Sequence, residues 1–148
     1  MRSPEEIREA LVRQWVESAR DDLAWAELGA ATPEVRGVAQ IGFHAQQAIE
    51  KLLKALLTAY GVEPEDQHSI GRLLDQVRRL DRETGEAVQG AGSLTQYAVY
   101  YRYPPRVPGR EHSLSRADVL GDLKRAQDAF PILVAAIERR LSQQRKEA

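Results

Sequence analysis

One run of the sequence narrows the fold more than any other. Val35, Val38, Ile41, Ala45, Ala48, Leu52, Ala55, Leu56 and Ala59 recur at spacings of three or four, which places them along one face of an α-helix. Thr32 and Pro33 mark a start before this run. Gly61, directly after Tyr60, supplies a left-handed stop. A helix over that stretch is roughly 40 Å long. A face so long and apolar must be covered by other helices, and its alanines let them approach closely.

The rest of the chain repeats that period. Ser3, Pro4 and Glu6 form an N-terminal cap for a first helix. Its apolar stripe is read as Ile7, Leu11, Trp15, Ala19, Leu23 and Ala26, with Gly29 as the stop. A shorter helix capped by Ser69 or His68 carries Ile70, Leu73, Leu74, Val77 and Leu80. Gly85, Gly90 and Gly92 predict a turn before a further helix through Leu94 to about Tyr101. Pro104, Pro105 and Pro108 exclude helix there. Ser115 and Asp118 then cap a last helix running to Leu141, with Pro131 expected to kink it. No segment has the period of a strand. The expected fold class is all-α: an antiparallel up-and-down bundle of four main helices plus one short helix. It forms a single domain over residues 1–148, with a core over about 3–141 and a frayed tail over 142–148.

Several function classes drop out on composition. The chain has no cysteine, so it lacks a disulfide framework, a thiolate metal site and a cysteine nucleophile. His44, His68 and His112 show no metal-ligand spacing. No phosphate-cradling glycine loop and no nucleophile elbow occur. The expectation is therefore no cofactor and no metal. The opening MRSPEEIREALVRQW is too charged for a signal peptide, and no apolar run is long enough to span a membrane. A cytoplasmic protein without membrane contact is expected.

With 21 Lys and Arg against 22 Asp and Glu, the net charge is -1. A uniformly basic nucleic-acid coat is thereby excluded. The distribution is uneven, however. Four of the five tyrosines fall between Tyr97 and Tyr103, and the stretch from Tyr97 to Arg116 carries +3 against -4 for the remainder. Interleaved tyrosine and arginine offer π faces to bases and forked donors to phosphates. The same residues serve equally well in plugging a bundle end and capping helix carboxyl termini.

A second polar feature lies within the apolar helix. His44, Gln47, Lys51 and Lys54 stand at helical offsets beside the apolar stripe. They form either a hydrogen-bonded seam between helices or a ligand-facing strip in which a lysine meets an anion.

The run Phe43-His44-Ala45-Gln46-Gln47-Ala48-Ile49-Glu50-Lys51, with Gln67-His68-Ser69-Ile70 and Tyr101-Arg102-Tyr103-Pro104, resembles the HEPN family, the higher eukaryote and prokaryote nucleotide-binding domain. The likeness covers roughly residues 10–140. It implies a helical bundle, dimerisation, and pairing with a small nucleotidyltransferase as in toxin–antitoxin couples. Many members of the family are metal-independent ribonucleases with an Arg-x(4–6)-His motif completed across a dimer. Arg106 and His112 match that spacing, although Val107 stands where active members carry a polar residue. By that resemblance His112 acts as general acid or base on a ribose hydroxyl and Arg106 stabilises charge on the phosphate.

Three functional expectations follow. The first is a nucleotide- or RNA-binding module, partner of a nucleotidyltransferase, with a groove of His44, Gln47, Lys51, Tyr101, Arg102 and Tyr103. The second is a metal-independent endoribonuclease using Arg106 and His112 from both protomers of a homodimer. The third is a helical interaction domain without ligand chemistry. Apolar residues at Trp25, Leu28, Val35 and Phe43 are the surface expected to support dimerisation.

Overall fold

The computed structural model describes residues 1–65, 69–99 and 114–148. Every regular element among them is helical: α1 (Pro4–Ala31), α2 (Val38–Ala59), α3 (Ile70–Leu80), α4 (Arg82–Ala87), a 3₁₀ turn (Gln89–Leu94), α5 (Thr95–Val99) and α6 (Arg116–Glu147). None of these helices is long and apolar enough to cross a membrane. His68, Tyr101, Arg102, Tyr103, Arg106 and His112 lie outside the described residues.

The helix ends follow from side-chain chemistry. Ser3 and Glu6 close a reciprocal box at the start of α1: the Glu6 amide donates to Ser3 Oγ at 3.2 Å and the Ser3 amide to Glu6 Oε2 at 2.7 Å. Ser69 accepts from the Arg72 amide, and Ser115 from the Asp118 amide, as the sequence indicates. Gly61 takes φ 74° at the end of α2. There its amide reaches the Thr58 carbonyl while that of Val62 reaches Leu57, a paired closure that needs the left-handed residue.

Other expectations are corrected. The buried stripe of α1 is Val12, Val16, Ala19, Asp22 and Ala26. Ile7 and Leu11 are about half exposed, while Trp15 and Leu23 pack only on the core's edge. The helical period holds but the buried face is rotated, because Val12 and Val16 stand one residue beyond Leu11 and Trp15. Helix α1 also continues past Gly29 to Ala31. Thr32 closes it: its amide donates to the Gly29 carbonyl and its hydroxyl to that of Leu28. Thr32 thus ends one helix instead of starting the next, which begins only at Val38. Gly29 has a packing role, since a Cβ there would stand 2.9 Å from Ile41 Cγ1.

The middle of the chain is more broken than expected. Gly85 lies inside α4, where Asp81 caps the helix by accepting from the amide and hydroxyl of Thr84. A side chain at Gly85 would meet Arg78. Helix α6 passes through Pro131 and stays helical to Glu147, with the Gln144 amide donating to the Ala59 carbonyl at 2.5 Å.

Cross-helix contacts give the directions. Gly29 meets Ile41 and Ser18 meets Lys51, so α1 and α2 run antiparallel. Arg116 reaches the end of α1, while Arg13 pairs with Glu138 nearer its start, so α1 and α6 are antiparallel as well. Helix α2 sits between α1 and α6 and supplies more of the fully buried side chains than any other described element, Ile49, Leu52, Leu53, Leu56 and Leu57 among them. Each contributes about 1.5–3 kcal/mol on burial.

Candidate functional site

The polar stripe on α2 does not face empty solvent. Asp22 projects from the buried face of α1 and receives two of its members. His44 Nδ1 lies 3.0 Å from Asp22 Oδ1, and Lys51 Nζ donates to Asp22 Oδ2 at 2.5 Å. Lys51 also donates to Ser18 Oγ at 2.8 Å, so two of its three ammonium hydrogens are engaged. Gln47 belongs to the adjoining network, donating to Gln46 Oε1 at 2.7 Å and to Glu50 Oε2 at 3.0 Å. Gln46 donates to Glu50, and Lys54 Nζ stands 3.4 Å from the other Glu50 oxygen. Lys54 is also 5.8 Å from the Trp15 ring centre.

This arrangement balances its own charge. Two lysines face two carboxylates, and the side chain of Glu50 is almost fully buried. Burying such a carboxylate is costly unless donors surround it, which explains two glutamines and a lysine on one oxygen pair. A phosphate reaching Lys51 competes with Asp22. His44 is the stripe member with a free edge: its second ring nitrogen makes no hydrogen bond among the described residues. A ring nitrogen facing a carboxylate carries the proton, so neutral His44 presents Nε2 as an acceptor.

Beside His44 the ends of α1 and α2 leave an apolar groove of about 350 Å³, lined by Trp25, Leu28, Val35, Gln40 and Ile41. The Trp25 indole lies within 28° of parallel to the His44 ring, with centres 6.5 Å apart.

A second centre forms on Asp122 of α6. Its Oδ2 accepts from the Tyr97 hydroxyl at 2.6 Å and from Gln96 at 3.3 Å. Its Oδ1 accepts from Ser93 at 3.0 Å and from Arg125 at 2.8 Å. Together with Leu114, Asp118 and Gly121 these residues border a concavity of about 490 Å³. Tyr97, the first residue of the tyrosine cluster, is therefore a core residue with 0% exposure and offers no face to a base. Arg116, at the other end of the basic stretch, donates to the carbonyls of Gly29, Ala30 and Val35 and so caps α1.

Sequence reasoning found His44, Gln47 and Lys51 but missed the acids that organise them. Asp22 carried a signal: it stands three residues after Ala19 and four before Ala26, inside the buried register, where an unpaired acid is untenable. Asp122 carried a similar one, directly before Leu123 on the apolar face of α6. Among the described residues no cluster of histidine and carboxylate could hold a metal ion.

No curated protein and no solved structure matches the chain. A family model does match, that of the HEPN domain, over residues 12–132. That span takes in α1 from its first buried residue, all of α2, and α6 as far as Ile132, so Asp22, Glu50 and Asp122 all lie within it. The chain belongs to the HEPN domain family.

Proposed function

We propose that this chain is a nucleotide- or RNA-binding module that works as a homodimer beside a small nucleotidyltransferase, in the manner of a toxin–antitoxin pair. The helices are read as an up-and-down bundle of one domain, with α3, α4 and α5 sharing the place of a single helix. The observation that carries the reading is the HEPN match over residues 12–132. The tyrosines and arginines that follow Tyr97 in the sequence, Tyr100 to Arg110, support it. The binding surface takes His44, Gln47 and Lys51 from α2 and Tyr101, Arg102 and Tyr103 from the sequence beyond α5.

The test is binding of labelled RNA and nucleotides by the full chain over a range of salt. Affinity should fall with salt, because phosphate contacts release counterions. Arg102→Ala and Lys51→Ala should each weaken binding and flatten that dependence. Equal affinity in wild type and both variants would remove this surface.

A second reading rests on the Arg106 to His112 spacing, that of a metal-independent endoribonuclease. Purified protein should then cut RNA in the presence of EDTA, and His112→Ala should abolish the cut with the fold intact. Wild type that leaves RNA whole removes it.

A further inference from the structure

The groove between the end of α1 and the start of α2 has features that the seam behind it does not need. Trp25 is 62% exposed and Leu28 57%, a costly position for two of the larger apolar side chains in the chain. The indole stands nearly parallel to the His44 ring across the groove mouth. Among the described residues two polar side chains on the groove wall are held in place: Thr32, whose hydroxyl is spent on the Leu28 carbonyl, and His44, whose Nδ1 is held by Asp22 and whose Nε2 is left to a ligand. Asp22 is itself held by Lys51, so the imidazole has a set tautomer and a set direction. Mostly apolar walls with a few oriented polar groups are the makings of a small-molecule pocket. The volume of about 350 Å³ suits one planar ring system. Trp25 and Leu28 together offer a few hundred Å² of surface at most, short of the roughly 800 Å² per partner that a stable protein interface buries.

We propose that this groove is a base pocket that takes an amino-bearing nucleobase such as adenine in preference to uracil, stacked on Trp25 with its exocyclic N–H donating to His44 Nε2. The proposal rests on the nucleic-acid reading above and adds which base is held and where. The selectivity comes from the tautomer. A bare ring nitrogen backed by a carboxylate accepts from an amino group. Uracil presents a carbonyl oxygen on each side of its only ring N–H, and those oxygens are repelled there. Gln40, on the groove wall, can turn its amide to either edge and leaves the choice to His44.

The two tryptophans make the experiment direct. In the ¹⁵N-labelled full chain, Trp15 and Trp25 give two indole N–H signals, assigned with Trp25→Phe. Oligo(A) and oligo(U) of equal length are titrated in one buffer. The Trp25 signal should move saturably with oligo(A) while that of Trp15 stays, and affinity should favour oligo(A) about tenfold. His44→Phe keeps a stacking ring and should level the two affinities. Trp25→Ala, at an exposed position that the fold tolerates, should lower the affinity for oligo(A). Oligonucleotide binding that leaves Trp25 unmoved, or that is equal for A and U, overturns the base pocket and leaves the wider binding reading standing. No binding of either oligonucleotide overturns both. A Trp25 signal that moves with protein concentration alone makes the groove a contact between copies and overturns the pocket.

Discussion

The ring of Tyr97 occupies the space that a side chain at Gly42 would fill: a Cβ there would stand 2.3 Å from two of its carbons. This close approach lets the ring cross the face of α2 and deliver its hydroxyl to Asp122 on α6. A missing side chain on one helix thus fixes a hydrogen bond between two others.

Gly42→Ala should therefore destabilise the protein, although alanine is the better helix former by about 1 kcal/mol. The clash is with a rigid, fully buried ring, and overpacking of that kind costs about 1–3 kcal/mol or more. Tyr97→Phe keeps the ring and removes only the donor to a carboxylate, at about 1.5–3 kcal/mol. Urea unfolding of both variants tests this. If Gly42→Ala is as stable as wild type, the packing of α5 on α2 differs from that described.

Asp22 holds His44 and Lys51 together, so its removal should be felt by both. Asp22→Ala leaves an ammonium less than a quarter exposed with, among the described residues, only Ser18 as partner. A fully buried pair broken in this way costs about 3–5 kcal/mol. Partial exposure of Lys51 and His44 reduces the expected loss to about 1–3 kcal/mol. Lys51→Met in the same background should recover part of it, because the uncompensated charge is then gone. A double-mutant cycle on thermal or urea unfolding measures the coupling, and additive losses would mean that the two residues do not interact.

Much of the architecture was legible because helix boundaries depend on local chemistry. Ser3 with Glu6, Ser69, Ser115 and Gly61 all act as their residue types dictate, each through an amide within a few positions. The misread features depend on distant residues. Thr32 looks like a helix start until Arg116, from the far end of the chain, is seen to satisfy the carbonyls around it. Which of two adjacent stripes on α1 is buried depends on the partner helix, because Leu11 and Val12 are equally apolar. The candidate site was half legible for the same reason. His44, Gln47 and Lys51 share one helix and one period, whereas Asp22 joins them, and Asp122 joins Tyr97, only through packing.

The end of α6 carries a pH-sensitive contact. Hydrogen bonding from Arg145 holds Glu9 below the ordinary glutamate value of 4.5; partial burial opposes this, and Arg13 adds to it. A carboxylate whose folded pKa is depressed binds fewer protons in the native state, so its stabilising contribution is complete above about 4.5 and is lost as pH falls through the lowered folded value. Glu9 is a third exposed, and solvent screening limits the effect to less than about 1 kcal/mol. Glu9→Gln should therefore reduce the loss of stability between about pH 5 and pH 3, with little change in slope above pH 6. Urea midpoints across that range test it, and parallel acid limbs for the two proteins would show that the contact does not form in solution.

Arg116 decides how much of the basic stretch is available to a ligand. Its guanidinium donates to Ala30 at 2.8 Å and to Gly29 and Val35 at 3.2 Å, filling the carbonyl end of α1 with a positive charge where the helix dipole favours one. Arg116→Ala should cost about 1–3 kcal/mol through the lost charged hydrogen bonds and speed amide exchange over residues 29–35. Arg116→Lys should recover only part of this, since one ammonium cannot reach three carbonyls in a fork. RNA affinity of the folded variant should stay close to wild type, in contrast to Arg102→Ala. A marked drop in affinity with unchanged stability would place Arg116 in the binding surface and take it away from the cap.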